Sequence, residues 1–352
     1  MVKPTELRSS RRQLLKAGAA GAALLALPGI VRAEDKKVVV AVWGGPSADA
    51  MKEIYGQAFA GSGIALEFDE SGPEPAKIRA MVEAGQVSWD VADLSVADSI
   101  LLGKAGMARP IDYTQVPKDS VLPGFAYEFA VASYIFSSII SFDKKALGGN
   151  VPTSWADVWN IEKFPGKRAF RKHIEGVLEA ALIADGVPLD KVYPIDEDRA
   201  FAKLKEILPH VIFWNSGSES QQLMRDGETV MGNLWSTRAT QLANEDKERF
   251  GLDFAGGLLL PASWGVPAKN PAGDAVFPAI AKMLDPEVQA KVYLKTNLSP
   301  SNPAAEKFIP AEFAPFNPTS ADNVAKQVPV DVQWYIDNQE RVQTKFLELI
   351  AA

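Results

Sequence analysis

The chain has 352 residues, with 37 lysines and arginines against 44 aspartates and glutamates, no cysteine, and only His173 and His210 as histidines. That composition excludes disulfides, thiolate chemistry and a histidine-built zinc site, and the acidic balance disfavours nucleic acid or anionic lipid as a partner. At this length a single hydrophobic core is outgrown, and two lobes are the expected organisation.

Residues 1–33 read as an export segment. Arg11-Arg12 is followed by Leu14-Leu15-Lys16, an apolar stretch over Ala17–Ile30, and Val31-Arg32-Ala33 as a small-residue cleavage site. This order of basic start, short apolar middle and A-x-A-like end marks a signal peptide, and the paired arginines point to the twin-arginine type. Cleavage after Ala33 leaves 319 residues with 31 basic and 43 acidic side chains, a net charge near −12. A well-solvated periplasmic protein is expected, since no other apolar run approaches a membrane span.

The first predicted strand is Val38–Val42, five apolar residues of which four are β-branched, followed by Trp43-Gly44-Gly45. Such a run suits a strand buried on both faces in a parallel sheet, whose ligands sit beyond the carboxyl ends of the strands. Trp43-Gly44 therefore reads either as an ordinary turn around a buried tryptophan or as an aromatic ligand surface beside approachable backbone. Ala48–Phe59 has helical spacing, Ile64–Phe68 reads as a strand, Pro75–Ala84 as a helix closed by Gly85, Trp89–Leu94 as a strand and Val96–Lys104 as a helix. Alternation of this kind predicts an α/β fold with a mainly parallel sheet.

Further on, Tyr134–Phe142 reads as a long strand crossing between lobes. Ser154 and Asp157 occupy capping positions of a helix whose Trp155 and Trp159 suit a core. Asp196–Leu208 is an amphipathic helix, and Val211–Asn215 and Thr229–Trp235 are strands flanking a helix over Ser220–Arg225. Leu258–Leu260 and Trp264–Pro267 form another apolar stretch, read as a return crossing, and helices over Pro286–Lys295 and Val332–Leu349 close the chain. Two lobes joined by extended crossings make a hinged cleft.

Reactive constellations are missing. The chain has no Walker loop, no G-x-S-x-G elbow and no H-E-x-x-H, and Ser141-Phe142-Asp143-Lys144 matches S-x-x-K without supporting motifs. The reading is of a protein that is not an enzyme and has neither a cofactor nor a metal.

Several motifs in order resemble the periplasmic solute-binding proteins of ABC importers, of the spermidine/putrescine-binding type. They are Val42-Trp43-Gly44-Gly45, Ser71-Gly72-Pro73 with Ala76-Lys77-Ile78, Met81–Gly85 leading into Trp89-Asp90-Val91, Pro152–Asp157, Phe164-Pro165-Gly166-Lys167-Arg168, and Trp264–Pro267 with Lys269-Asn270-Pro271. The resemblance implies the two-lobed type II periplasmic-binding-protein fold, each lobe a mixed, mainly parallel sheet flanked by helices. Residues 34–141 plus about 263–305 would form one lobe, and 142–262 plus about 306–352 the other. It also implies a monomer that closes on a small charged organic solute and hands it to a permease driven by a separate ATPase.

By the same resemblance Trp43, Gly44, Ser95, Tyr134, Trp235 and Trp264 face the ligand, while polyamine receptors use carboxylates to pair with ammonium groups. In this chain the first acidic region reads Arg171-Lys172-His173-Ile174-Glu175, and Ala262 stands about where the second acid is expected. Arg238 stands where some relatives bind a carboxylate. A carboxylate-bearing ligand is therefore expected, with Asp93 or Glu175 meeting an amine at its other end. Two plainer readings stand beside this one: Arg238 paired with Asp226 or Glu228, and Arg171–His173 as a solvated loop. A true polyamine receptor and a sensor on the same fold are the alternative functions.

Overall fold

The computed structural model describes residues 35–351, so the expected export segment lies outside the described residues. Eleven strands are numbered in chain order: β1 (Lys36–Ala41), β2 (Ile64–Asp69), β3 (Val91–Ser95), β4 (Ala108–Arg109), β5 (Val131–Asp143), β6 (Arg168–Arg171), β7 (Val211–Trp214), β8 (Met231–Trp235), β9 (Phe250–Pro267), β10 (Ser299–Pro300) and β11 (Val328–Pro329). The main path runs β2-β1-β3-β9-β5-β8-β6-β7. At one end β2, β1 and β3 are parallel, and at the other β8, β6 and β7 are parallel. The middle is antiparallel, because β9 runs against both β3 and β5, and β5 against β8.

β5 and β9 have 13 and 18 residues, well beyond an ordinary strand of about 5–6. The sequence reading takes Leu258–Leu260 and Trp264–Pro267 together as a return crossing, and β9 runs through both and through Pro261, a residue type usually kept out of central strands. Pro261 is tolerated because it falls in a gap: pairing with β11 ends at Leu259, and pairing with β3 begins at Ala262. On the other side β5 carries two residues, Ser133 and Tyr134, between partners of Ser263 and Pro261, so a bulge lies opposite Ala262.

Hydrophobic cores occupy both faces at both ends. Val38 and Val40 of β1 join Met51, Ile54, Phe59, Ile135 and Phe277 on one face, while Val39 and Ala41 face Ile78, Trp89 and Leu102 on the other. That two-sided burial is what the β-branched run predicts. At the β7 end, Trp155, Phe170, Leu178, Leu204 and Phe346 form one core, and Trp214, Met224, Leu234 and Leu242 the other. The helix Val177–Ala184 escapes a periodicity reading because it is apolar almost all round, with its first six residues buried.

Phe164–Arg168 has a structural use. Arg168 is fully buried and donates to the carbonyls of Val158, Gly166, Phe164 and Asn160 at 2.8, 2.8, 2.6 and 3.5 Å. Burial lowers its pKa to about 10, and four carbonyl oxygens satisfy the guanidinium without an acid.

Candidate functional site

The carboxyl ends of four parallel strands converge on one region. Trp43 follows β1 and is half exposed at 53%, its ring seated against Gly72. A Cβ at Gly72 would lie 3.1 Å from that ring, and its φ of +83° suits glycine. Ser95 ends β3 and caps the helix Val96–Lys104 by accepting from the Asp98 N–H. Arg171 ends β6, with His173 and Glu175 just beyond, and Trp235 ends β8 at the start of the helix Ser236–Glu245.

These residues line two adjoining cavities of about 370 Å³ each. One includes Ser95, Asp98, Arg171, His173, Glu175, Pro261, Ala262, Tyr335 and Gln339. The other includes Gly44, Ser47, Met51, Thr237, Arg238 and Leu298. Trp43, Asp93, Tyr134, Phe136 and Trp235 belong to both. Volumes of this size suit small metabolites.

Asp93 is 4% exposed, and the Tyr134 hydroxyl donates to it at 3.1 Å. Burial raises its pKa to about 7, only partly offset by that hydrogen bond. Tyr134 sits in the β5 bulge, which is where a strand re-aims a side chain. Among the described residues, Asp93 makes no ion pair.

On the other wall, Arg171 pairs with Glu175 at 2.9 Å and lies 5.1 Å over the Trp235 ring. His173 accepts from the Glu175 N–H through Nδ1 at 3.1 Å, while burial and neighbouring Arg171 push its pKa down to about 4. It is neutral, with its proton on Nε2. Trp235 is also held edge-on by Phe136 and Trp214. Behind the wall, the buried Glu179 accepts from the hydroxyls of Tyr335 and Tyr193 at 2.6 and 2.5 Å.

Arg238 lies in the first turn of its helix. It donates to the side-chain oxygens of Gln221 and Gln241 at 3.4 and 3.3 Å, and among the described residues it forms no ion pair. Burial, and secondarily Arg225, lower its pKa. The helix has no side-chain cap, and its first-turn residues Thr237 and Arg238 line the cavity.

A family model for bacterial extracellular solute-binding proteins matches residues 50–324. The chain belongs to that family. A gamma-aminobutyric acid-binding protein of Pseudomonas aeruginosa is 28% identical over 92% of this chain and 93% of its own. Spermidine/putrescine-binding periplasmic protein 1 of Haemophilus influenzae is 24% identical over 67% of each chain. Among solved structures, the Atu4243 GABA receptor superposes with a TM-score of 0.80 at 31% identity, covering 89% of this chain and 97% of that one. The fold is that of the type II periplasmic binding proteins, and the function is that of a substrate-binding protein of ABC transporters.

Within this solute-binding protein, ten of the eleven residues singled out from the sequence line the cavities: Trp43, Gly44, Asp93, Ser95, Tyr134, His173, Glu175, Trp235, Arg238 and Ala262. Trp264 lines neither. It lies two residues further along β9 than Ala262, fully buried in the β1-end core. Of Arg171–His173, Arg171 ends β6 and lines the first cavity together with His173, while Lys172 between them is exposed. Arg238 does not pair with Asp226 or Glu228: Asp226 accepts from Gln222, and Glu228 is exposed. Phe136, Tyr335 and Gln339 were not singled out. The last two come from the C-terminal helix, about 100 residues after β8, and no local pattern links them to the cleft. Arg171 carried a usable signal, its place at the carboxyl end of a parallel strand.

Proposed function

We propose that this solute-binding protein captures a small zwitterion, with a carboxylate at one end and an amine at the other. The observation carrying this reading is that one cavity is lined by both Arg238, without an acidic partner, and Asp93, without a cationic one. A carboxylate would take the guanidinium and the uncapped start of the Ser236–Glu245 helix. The ammonium group would meet Asp93 between the faces of Trp43 and Trp235. A diamine suits the cleft less well, since Glu175 is engaged by Arg171 and Ala262 offers no charge. The gamma-aminobutyric acid named for the Pseudomonas relative has the required pair of ends.

Binding proceeds by closure around the ligand and release to a permease and its ATPase, without chemical turnover. The hinge would lie along β5 and β9, a reading supported by Ile135 packing in the β1-end core and Ile139 in the β7-end core. Export through the twin-arginine route with cleavage after Ala33 would put the protein in the periplasm. Sequencing the amino terminus of the exported protein checks this.

The test is thermal unfolding against putrescine, spermidine, 4-aminobutyrate and simple carboxylates. A ligand at a hundred times its Kd adds about 2.7 kcal/mol. A shift with 4-aminobutyrate supports the zwitterion; a shift with diamines alone overturns it and restores a polyamine receptor.

A further inference from the structure

Arg238 differs from the other arginines that contact acids in this region. Arg225 holds Glu245 through two bonds of 2.8 and 2.6 Å, which commits the acid at the far end of Arg238's own helix. Arg249 likewise holds Asp143 at 2.7 Å. Arg238 faces two neutral amides instead. Gln221 is 4% exposed and donates through Nε2 to the Gln241 oxygen at 2.9 Å. This leaves both amide oxygens turned to Arg238 at 3.3–3.4 Å, long for charge-assisted bonds. Gly217 makes the seat: a Cβ there would lie 2.6 Å from Arg238 Nε and 3.1 Å from the Trp235 ring.

We propose that Gln221 and Gln241 are specificity-determining residues that hold Arg238 in the cavity wall without neutralising it. An amide oxygen orients a guanidinium through its dipole, whereas a carboxylate at the same place would satisfy the charge and compete with the ligand. The pair thus selects ligands that bring their own anion. This inference rests on the zwitterion reading and names the device behind it.

The purified protein and its Gln241→Glu, Gln241→Leu and Arg238→Ala variants are titrated with 4-aminobutyrate and with putrescine, following tryptophan fluorescence and melting temperature. In Gln241→Glu the internal acid takes Arg238, so affinity for 4-aminobutyrate falls by about tenfold or more while putrescine binding is kept or gained. Melting holds or rises, because a salt bridge has been formed. Gln241→Leu loses orientation but not charge, and 4-aminobutyrate affinity falls by about threefold or less. A Gln241→Glu protein that binds 4-aminobutyrate as well as the parent, while Arg238→Ala has lost it, overturns this inference and leaves the zwitterion reading standing. Failure of the parent to bind 4-aminobutyrate, or Arg238→Ala within twofold of the parent, overturns the reading itself. If Gln241→Glu does not fold, Gln221→Glu is compared with Gln221→Leu by the same two ligands and outcomes.

Discussion

The two walls of the cleft handle charge in opposite ways. On the β1 side, Asp93 is buried with a tyrosine hydroxyl as its partner, and burial holds its pKa near 7. On the β8 side, Arg171 is paired with Glu175, and Arg238 has no acidic partner and is more open to solvent. The tryptophans follow suit. Trp43 stands half exposed with one glycine behind it, whereas Trp235 is held by Phe136, Trp214 and the Arg171 guanidinium. One wall keeps a charge suppressed until a partner arrives, and the other displays a charge in advance. A zwitterion joins the two.

The comparison breaks most severely at Arg238. Arg238→Ala should weaken 4-aminobutyrate binding by about a hundredfold, because a ligand carboxylate loses its charged partner in a partly dry site. Calorimetric titration measures this, and melting should change little.

Asp93 comes next. Asp93→Asn should cost about thirtyfold in affinity at pH 8 through the lost ion pair. Its effect on unliganded stability has the opposite sign. The folded pKa of about 7 lies above the ordinary carboxylate value, so the folded form holds its proton longer and stability falls as pH rises from about 4 to about 7. The asparagine variant should therefore melt higher than the parent at pH 8 and the same at pH 4. Parent affinity should rise with pH up to about 7 and level off, by at most about tenfold per unit, since the ammonium needs ionised Asp93. A flat profile between pH 5 and 8 would remove Asp93 from the amine site.

Tryptophan truncation sharpens the contrast in support. Trp43→Ala should lose about tenfold in affinity with melting nearly unchanged, because the ring is half exposed. Trp235→Ala should lose affinity and also several degrees of melting temperature, since three neighbours pack on it.

The smallest effect is expected at Glu175. Glu175→Gln should alter 4-aminobutyrate affinity by less than about threefold, because Arg171 already engages that carboxylate. A tenfold loss would show Glu175 meeting the amine and would favour a diamine ligand.

Local patterns carried much of the architecture. The β-branched Val38–Val42 run became a strand buried on both faces, and Pro75–Ala84 and Val96–Lys104 became helices within the expected bounds. Ser154 caps its helix from the predicted position. The rule that ligands sit beyond the carboxyl ends of parallel strands pointed to Trp43, and the family resemblance added Ser95 and Trp235; all three line the cavities. Periodicity failed where burial is nearly complete: in Val177–Ala184 the first six residues are buried, Glu179 among them, so no polar face marks the helix.

By itself, then, the sequence determined the alternation of strands and helices and the residues at the strand ends, because hydrophobic period and turn chemistry act over a few residues. Only the tertiary structure decided which charges are answered. Arg168 and Arg238 look alike in sequence, yet one is enclosed by four backbone carbonyls and the other faces two glutamine amides and a cavity. Trp264 lies inside the 18-residue β9 and Trp235 at the end of the five-residue β8, and that difference of position along the sheet puts one in the core and the other in the cleft. Partners for a charge or an aromatic face come from segments distant in the chain, and their free energy depends on desolvation that no local pattern encodes.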